Sequence, residues 1–514
     1  MVAFRNPSVG QTVTYPTNSG ICWRLGGTYT IQWSGFVAGL NVKVELYNGS
    51  SLYYTIASST ENDGAFTWTV PTSLAIDYDY RIRVSQTLIG TISDYSNNYF
   101  AIANPAVTYP SSTSICWRPG STYNITWTGF AGASVKIDLY KSTGLVGTII
   151  SATANDGSYS YTVPSSLAID PYYYIRITST SNSGCYDISN SYFAIANPQL
   201  VYPSSSGILW RPGTSYNITW SGFAGTNVKI DLYRSGGIYS TIVSSTTNDG
   251  SYIWTVPASI PLDNFYIRIT STVNSGCYDN SNYYFVIANP QVTYPTATNI
   301  GWRIGSTYTI TWTGYSGTYV RIELFRSTGI VGTISSSTEN DGSLSWTVPT
   351  TLTIGTDYLI RITSTANSAC YDISNSYFAI ADPQVTYPSA SGIIWNYGSS
   401  YNISWTGFAA TNVKIDLYRS AGIVGTIISS TPNDGSHPWT VPLLTAASDY
   451  YIRITSIENT GVTDISNYYF AIAAYLTVSP ASVSIGSASG SSGTFTLYSN
   501  TTWSITDDAA WLSV

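Results

Sequence analysis

Tyr174-Ile175-Arg176-Ile177-Thr178-Ser179 alternates apolar and polar residues, the period of a strand with one face buried. Its arginine has counterparts at Arg83, Arg268, Arg361 and Arg453, so the segment returns every 92 or 93 residues. The same register carries W-x-G-[FY] from Trp33, Trp127, Trp220, Trp312 and Trp405, and N-D-G around Asp63, Asp156, Asp249, Asp341 and Asp434. Each unit closes on Y-F-[AV]-I-A. Self-similarity at a fixed period sets the architecture before any single residue does.

Within the second unit, Tyr123-Asn124-Ile125-Thr126-Trp127 and Val135-Lys136-Ile137-Asp138-Leu139-Tyr140 read as strands. Asn155-Asp156-Gly157 is a turn in which glycine can take positive φ. About seven short strands per unit and no helical stretch predict an immunoglobulin-like sandwich. The expected fold class is all-β, a tandem array of immunoglobulin-like β-sandwiches forming a stiff rod. Its expected domains are repeats at 1–103, 104–196, 197–288, 289–381 and 382–474, followed by a segment at 475–514. The repeats meet at Asn104-Pro105, Asn197-Pro198, Asn289-Pro290 and Asp382-Pro383 with almost no linker. Proline fixes its own φ and restricts its predecessor, which is the reason to expect stiffness.

Composition narrows the function. Of the 514 residues only 9% are charged, while 15% are aromatic, including 45 Tyr and 16 Trp. A net charge of −7 gives no basic footprint for nucleic acid or anionic membrane. The single histidine (His437) and single methionine (Met1) nearly exclude multi-histidine metal sites and histidine-based triads. No apolar run reaches the ~20 residues of a membrane helix. The reading is a non-enzymatic extracellular or cell-surface protein with no cofactor and no metal. Met1-Val2-Ala3-Phe4-Arg5 lacks the features of a signal peptide. Ala3-Phe4-Arg5-Asn6-Pro7 instead matches the linker Ala194-Ile195-Ala196-Asn197-Pro198, so a piece of a longer array is expected.

The combination I-T-W-[ST]-G-F, V-K-I-D-L-Y, N-D-G-S-Y-x-W-T-V-P and Y-x-I-R-I-T-S resembles the Ser-Thr-rich, GPI-anchored-membrane-protein N-terminal family. That family is also described as the yeast cell-wall glucan-synthesis (KNH-like) domain. The resemblance spans each whole repeat and implies an immunoglobulin-type module of walls and secreted proteins, with no catalytic residue to carry over. Leu476-Thr477-Val478-Ser479-Pro480, Phe495-Thr496-Leu497, Trp503-Ser504-Ile505 and Trp511-Leu512-Ser513-Val514 resemble the first half of a BACON domain, the Bacteroidetes-associated carbohydrate-binding module. Forty residues are too few to close such a sandwich, so three strands with an uncovered face are expected there.

Charged residues are few and repeated. Lys43/Glu45, Lys136/Asp138, Lys229/Asp231, Arg321/Glu323 and Lys414/Asp416 lie two apart on a strand, hence on one face, and are expected to pair there. Arg83 and its equivalents, with Asp94, Asp187, Asp279, Asp372 and Asp464, are expected to tie neighbouring strands within each domain. The Trp127-type tryptophans read as core. Trp23, Trp117, Trp210, Trp302 and Trp395, near the start of each unit, are the ones expected at the surface, against an adjoining domain or chain or against a sugar ring.

Five cysteines fall at two repeat positions, an early one (Cys22, Cys116) and a late one (Cys185, Cys277, Cys370). Only repeat 2 has both, so the simplest disulfide is Cys116–Cys185. Staggered parallel chains offer alternatives: Cys22 with Cys277 and Cys116 with Cys370, or Cys22 with Cys185 and Cys116 with Cys277. Three functions remain open at this point. They are a subunit of a surface fibre, sheath or filament with copies of itself as partners, a glycan-binding or adhesive array for wall or environmental polysaccharide, and stalk modules of a larger secreted enzyme.

Overall fold

The computed structural model describes residues 10–509, all of them in strands, turns and irregular segments. They fall into two compact units, one of residues up to 205 with 215–255 and 265–284, the other of 206–214, 256–264 and 285 onward. Repeats 1 and 2 belong to the first, repeats 4 and 5 to the second, and repeat 3 contributes to both.

Each repeat has nine strands rather than seven, numbered here within the repeat. In repeat 2 they are β1 (Ala106–Tyr109), β2 (Cys116–Trp117), β3 (Thr122–Thr128), β4 (Ser134–Lys141), β5 (Gly144–Ala154), β6 (Ser158–Thr162), β7 (Asp170–Ser179), β8 (Tyr186–Ile188) and β9 (Phe193–Ile195). Two of them, β2 and β8, have only two and three residues, too few for alternation to reveal. One sheet runs β1-β3-β6, and the other runs β2-β9-β7-β4-β5 with β8 added beside β7. All pairs are antiparallel except β2 on β9.

The inward residues of the two sheets form the core, among them Ile125, Val135, Ile137, Ile175 and Ile177 in repeat 2. Trp127 is buried there as expected, and so are Trp33, Trp220, Trp312 and Trp405. The Trp127 Nε1–H donates to Asn155 Oδ1 at 2.8 Å, and the Asn155 amide donates onward to the carbonyls of Phe130 and Gly132. The asparagine of N-D-G thus pins the core tryptophan besides opening the turn. Every repeat repeats the bond.

The edge strand β5 carries no charged residue in repeat 2, yet three register shifts interrupt its pairing with β4. Bulges of this kind twist an edge away from intermolecular pairing. At the linker, Asn104 N–H donates to Gly129 O at 3.0 Å. Gly129 holds φ +73°, and a Cβ there would lie 2.1 Å from Asn104 O, so only glycine fits.

Beyond repeat 5 the described residues form a two-stranded sheet, Leu476–Ser479 with Thr496–Ser499. Phe495, Trp503 and Ile505 are exposed beside it. The segments Ala3–Pro7 and Trp511–Val514, used in the sequence argument, lie outside the described residues.

Candidate functional site

Two features recur through the array: a clasp between successive repeats and a tyrosine-lined sheet face. The clasp begins with the cysteines. Cys22 bonds to Cys185 and Cys116 to Cys277, each with Cα atoms 5.2 Å apart. The expected Cys116–Cys185 bond within repeat 2 is therefore wrong. The two positions of one repeat face opposite neighbours, and the early site of each repeat meets the late site of the next within one chain. Cys370 is left as a buried free thiol.

An asparagine closes the same contact. Asn182 Nδ2 donates to Ile21 O at 2.9 Å, and Asn274 Nδ2 to Ile115 O at 2.8 Å. Asn459 Nδ2 donates to Ile300 O at 2.7 Å in the second unit, where Gly301 and Val462 replace the cysteines. Around the Cys22–Cys185 bond, Ala101, Ala103 and Ala131 form a small apolar cluster, and Ala194, Ala196 and Ala224 do so around Cys277. Arg24 completes the first junction by donating to Pro105 O at 3.2 Å and approaching Asp187 Oδ1 at 3.7 Å. Arg303 reaches Pro383 O and lies 3.4 Å from Asp464.

These aspartates have a second bond. Asp187 Oδ2 accepts from Val107 N–H at 2.8 Å, tying β8 to β1, and Asp94, Asp279, Asp372 and Asp464 do the same in their repeats. The aspartate does tie strands within its domain, as expected. Asp187 and Asp464 are also approached by the arginine after the early tryptophan of the preceding repeat, Arg24 and Arg303, while Arg83, Arg268 and Arg453 tie β7 to β4 and β8 within their own domains, as expected.

Gly184 fixes how closely the first clasp shuts: a Cβ on it would lie 1.7 Å from Gly20 O. Repeat 4 has Ala369 at this position, and there Asn367 Nδ2 reaches Ser206 O at 3.1 Å instead of the isoleucine carbonyl. Gly184→Val should hold the first junction apart. We expect the Cys22–Cys185 bond to fail and the thiols titrated after unfolding to rise from one to three; a count of one would refute this.

Leu209 stands opposite Cys370 at the third junction and packs on the cluster that contains it. Burial pushes the Cys370 thiol up, against hydrogen bonds from Ser316 and the Arg211 charge. Leu209→Cys, alone or with Ala369→Gly to restore the close approach, should add a third disulfide. Thiols counted after unfolding should then fall from one to none, and two remaining in both variants would overturn the equivalence of the junctions.

Trp23, Trp117, Trp210, Trp302 and Trp395 are corrected by the structure as well. They are 0–1% exposed, each inside its own repeat, so they contact neither sugar nor neighbouring domain as proposed from sequence. Their strand, two residues long except in repeat 4 where it has three, lies parallel to β9 and turns the indole inward. The Trp117 ring stacks on Tyr123 at 5.0 Å and packs on Phe193 at 4.3 Å.

The aromatic face is instead made of tyrosines on the outer side of the larger sheet. In repeat 2, Tyr140 stacks on Tyr174 with centroids 5.3 Å apart, Tyr174 meets Tyr192 edge-on at 5.7 Å, and Arg176 lies over Tyr186 at 4.1 Å. Repeat 3 carries Tyr233, Tyr266 and Tyr284 in the same order, and repeat 5 carries Tyr418, Tyr451 and Tyr469. Repeat 4 departs, with Phe325 and Leu359 in place of the stacked pair. Burial pushes the Tyr266 hydroxyl up, Arg268 opposes the shift, and Tyr284 and Tyr233 add to it.

The paired charges flank these rings as expected. Lys136 Nζ lies 2.9 Å from Asp138 Oδ2, and Thr148 donates to the other carboxylate oxygen at 2.7 Å. A hollow of about 560 Å³ in repeat 3 is lined by Lys229, Asp231, Tyr233, Arg268 and Tyr278. Such a face offers flat rings for stacking and charged groups for hydrogen bonding. The sequence signal was the Tyr two residues before the recurring arginine, on its strand face. Among the described residues no group of three or more His, Cys, Asp or Glu could hold a metal ion, and no helix is long and apolar enough to cross a membrane.

Fold and junctions together define a tandem array of immunoglobulin-like sandwiches. The chain belongs to the Kre9/KNH-like N-terminal Ig-like domain family, which matches residues 17–102, 110–194, 204–286, 295–378 and 388–471. Among solved structures it is similar to Sidekick-1 immunoglobulin domains 1–5, at 10% identity over 91% of this chain and 99% of that one, with a TM-score of 0.21. A tetra-tandem repeat in the extending region of a large adhesion protein matches at 17% identity over 70% of this chain and 98% of that one, TM-score 0.21. Drosophila OTK extracellular domains 3–5 match at 11% identity over 54% and 97%, TM-score 0.24. No curated protein sequence matches.

Proposed function

We propose that the chain is a non-enzymatic extracellular structural repeat protein, a subunit of a surface fibre, sheath or filament, with repeats bounded at 104, 197, 289 and 382 and a BACON-like segment after 474. The observation that carries this reading is the clasp. Disulfides between successive repeats form and persist in oxidising compartments, and they fix neighbour to neighbour where a flexible display array would leave linkers free. Low charge leaves little self-repulsion between chains. Negative-stain imaging of native material tests it: fibres labelled by antibody against the repeats are expected, and soluble monomer with reduced thiols inside the cell would sink it.

A second reading, a glycan-binding or adhesive array, rests on the tyrosine face. Stacked Tyr140 and Tyr174 beside Arg176 and Lys136 could receive the C–H face and hydroxyls of a sugar. Retention of the purified chain on a panel of polysaccharides, lost in Tyr174→Ala, supports it; no retention on any of them removes it.

A further inference from the structure

The hollow in repeat 3 differs from the same face of the other repeats in how its arginine is held. Strand β7 of this repeat (Asp263–Ser271) sets Arg268 opposite Asp231 on one side and Asn280 on the other. Both carboxylate oxygens of Asp231 are taken by other groups. Lys229 Nζ lies 2.9 Å from Oδ2, and Thr241 donates to Oδ1 at 2.7 Å. Arg268 turns to neutral acceptors instead: Nε–H donates to Asn280 Oδ1 at 2.9 Å and Nη1–H to Tyr233 OH at 3.3 Å. Neither bond uses Nη2. In repeat 1 the equivalent Arg83 pairs with Glu45 at 3.1 Å.

Rings fix the guanidinium as well. Its carbon lies 4.9 Å from the Tyr233 centroid and 4.5 Å from that of Tyr278. Repeat 3 alone combines these holds. Tyr95, Ile188, Ile373 and Ile465 stand where it has Asn280, and Ser93 and Thr463 stand where it has Tyr278. Around the arginine, Ser244, Thr270, Thr272 and Ser275 complete the lining with hydroxyls. Ser275 belongs to the loop that the Cys116–Cys277 bond ties down, so the second clasp steadies one wall. At about 560 Å³ the hollow falls within the ~300–1,000 Å³ of small-ligand sites. Two cations and one carboxylate line it, a net charge of +1 in a chain of net −7.

We propose that this hollow binds an acidic sugar, a uronate residue of a polysaccharide, with its carboxylate on Arg268 and its hydroxyls on the serine and threonine side chains. An immobilised guanidinium that spends neither of these bonds on an acid presents a planar fork to a planar carboxylate. The surrounding hydroxyls and the exposed Tyr278 ring suit a polyol carrying that carboxylate better than a bare ion. Asn280 is the positioning residue, because it holds Nε and leaves the far edge of the guanidinium facing the hollow. The proposal rests on the glycan-binding reading and names the class of sugar.

Affinity electrophoresis of the full chain, disulfides intact, tests this in gels holding polygalacturonate, its carboxyl-reduced neutral form, or dextran sulfate. The salt is kept near ~0.15 M to screen loose attraction. Polygalacturonate should retard the chain and the neutral form should not. Arg268→Gln should weaken the dissociation constant by about tenfold or more. Asn280→Ile, which installs the residue of repeats 2, 4 and 5 and keeps every charge, should weaken it as well, whereas Arg361→Gln in repeat 4 should not. Equal retardation by the neutral form, stronger retardation by dextran sulfate, or unchanged binding in both repeat 3 variants would each overturn the proposal. Retardation by neutral polysaccharide only, lost in Tyr174→Ala, would overturn the acidic-sugar assignment and leave the glycan reading standing; no retardation by any polysaccharide would remove both.

Discussion

Trp117→Ala is expected to unfold repeat 2 while the later repeats stay folded. The indole is fully buried, stacked on Tyr123, packed on Phe193, and bonded through Nε1–H to Tyr109 OH at 3.1 Å. Removing it leaves a cavity the size of a ring between two sheets that cannot collapse onto each other. Losses of about 3–5 kcal/mol follow from truncating buried aromatics. That is a large part of the ~5–15 kcal/mol that holds a domain together. Trp503→Ala, at an exposed position, should change stability by less than ~0.5 kcal/mol. Hydrogen exchange resolved by peptide would read the difference: protection should fall in residues 106–195 and persist in repeats 4 and 5. A loss below about 1 kcal/mol would place Trp117 back among the contact residues.

Removing one clasp disulfide should have an effect of similar size. The Cys22–Cys185 bond closes a segment with a sequence separation of 163. In the chain-entropy account a loop beyond 100 residues restricts the unfolded state by about 4–5 kcal/mol, with native strain reducing that figure. Cys22→Ser with Cys185→Ser should therefore lower the melting temperature of repeats 1 and 2 and leave repeats 4 and 5, whose junction has no disulfide, unchanged. Calorimetry of the whole chain before and after reduction, which opens both disulfides, should lower the transitions of repeats 1 to 3 and spare repeats 4 and 5. An unchanged first transition would mean that the asparagine and alanine contacts alone fix the junction.

The repeat period, the sandwich and the Trp127-type core were legible because strands of five or more residues show their alternation. The Lys136–Asp138 pairing was legible for the same reason. A two-residue strand has no alternation, and so the inward turn of Trp117 could not be read. The cysteines illustrate a different limit. Spacing gave two equivalent positions per repeat, but which of them meet depends on the orientation of one sandwich against the next, and no local pattern encodes that. Asn182 and Gly184 flank the late cysteine and belong to the same contact. Read singly, they are turn residues. The tyrosine face was present in the sequence as Tyr174 and Arg176, yet aromatic residues on an exposed strand face look like ordinary β-formers until their rings are seen to stack.

The two disulfides also overlap along the chain, since Cys116 lies between Cys22 and Cys185, and Cys185 lies between Cys116 and Cys277. A pull on the two ends is carried through one bond and bypasses the backbone it spans. Even with every repeat unravelled, the 163 positions separating Cys22 from Cys185 would stay out of the load path, withholding roughly 570 Å of extension at about 3.5 Å per residue. Between Cys22 and Cys277 only the 92 positions from Cys185 to Cys277 can therefore lengthen under tension, by roughly 320 Å at about 3.5 Å per residue, and most of the slack available to absorb a sudden load lies in repeats 4 and 5.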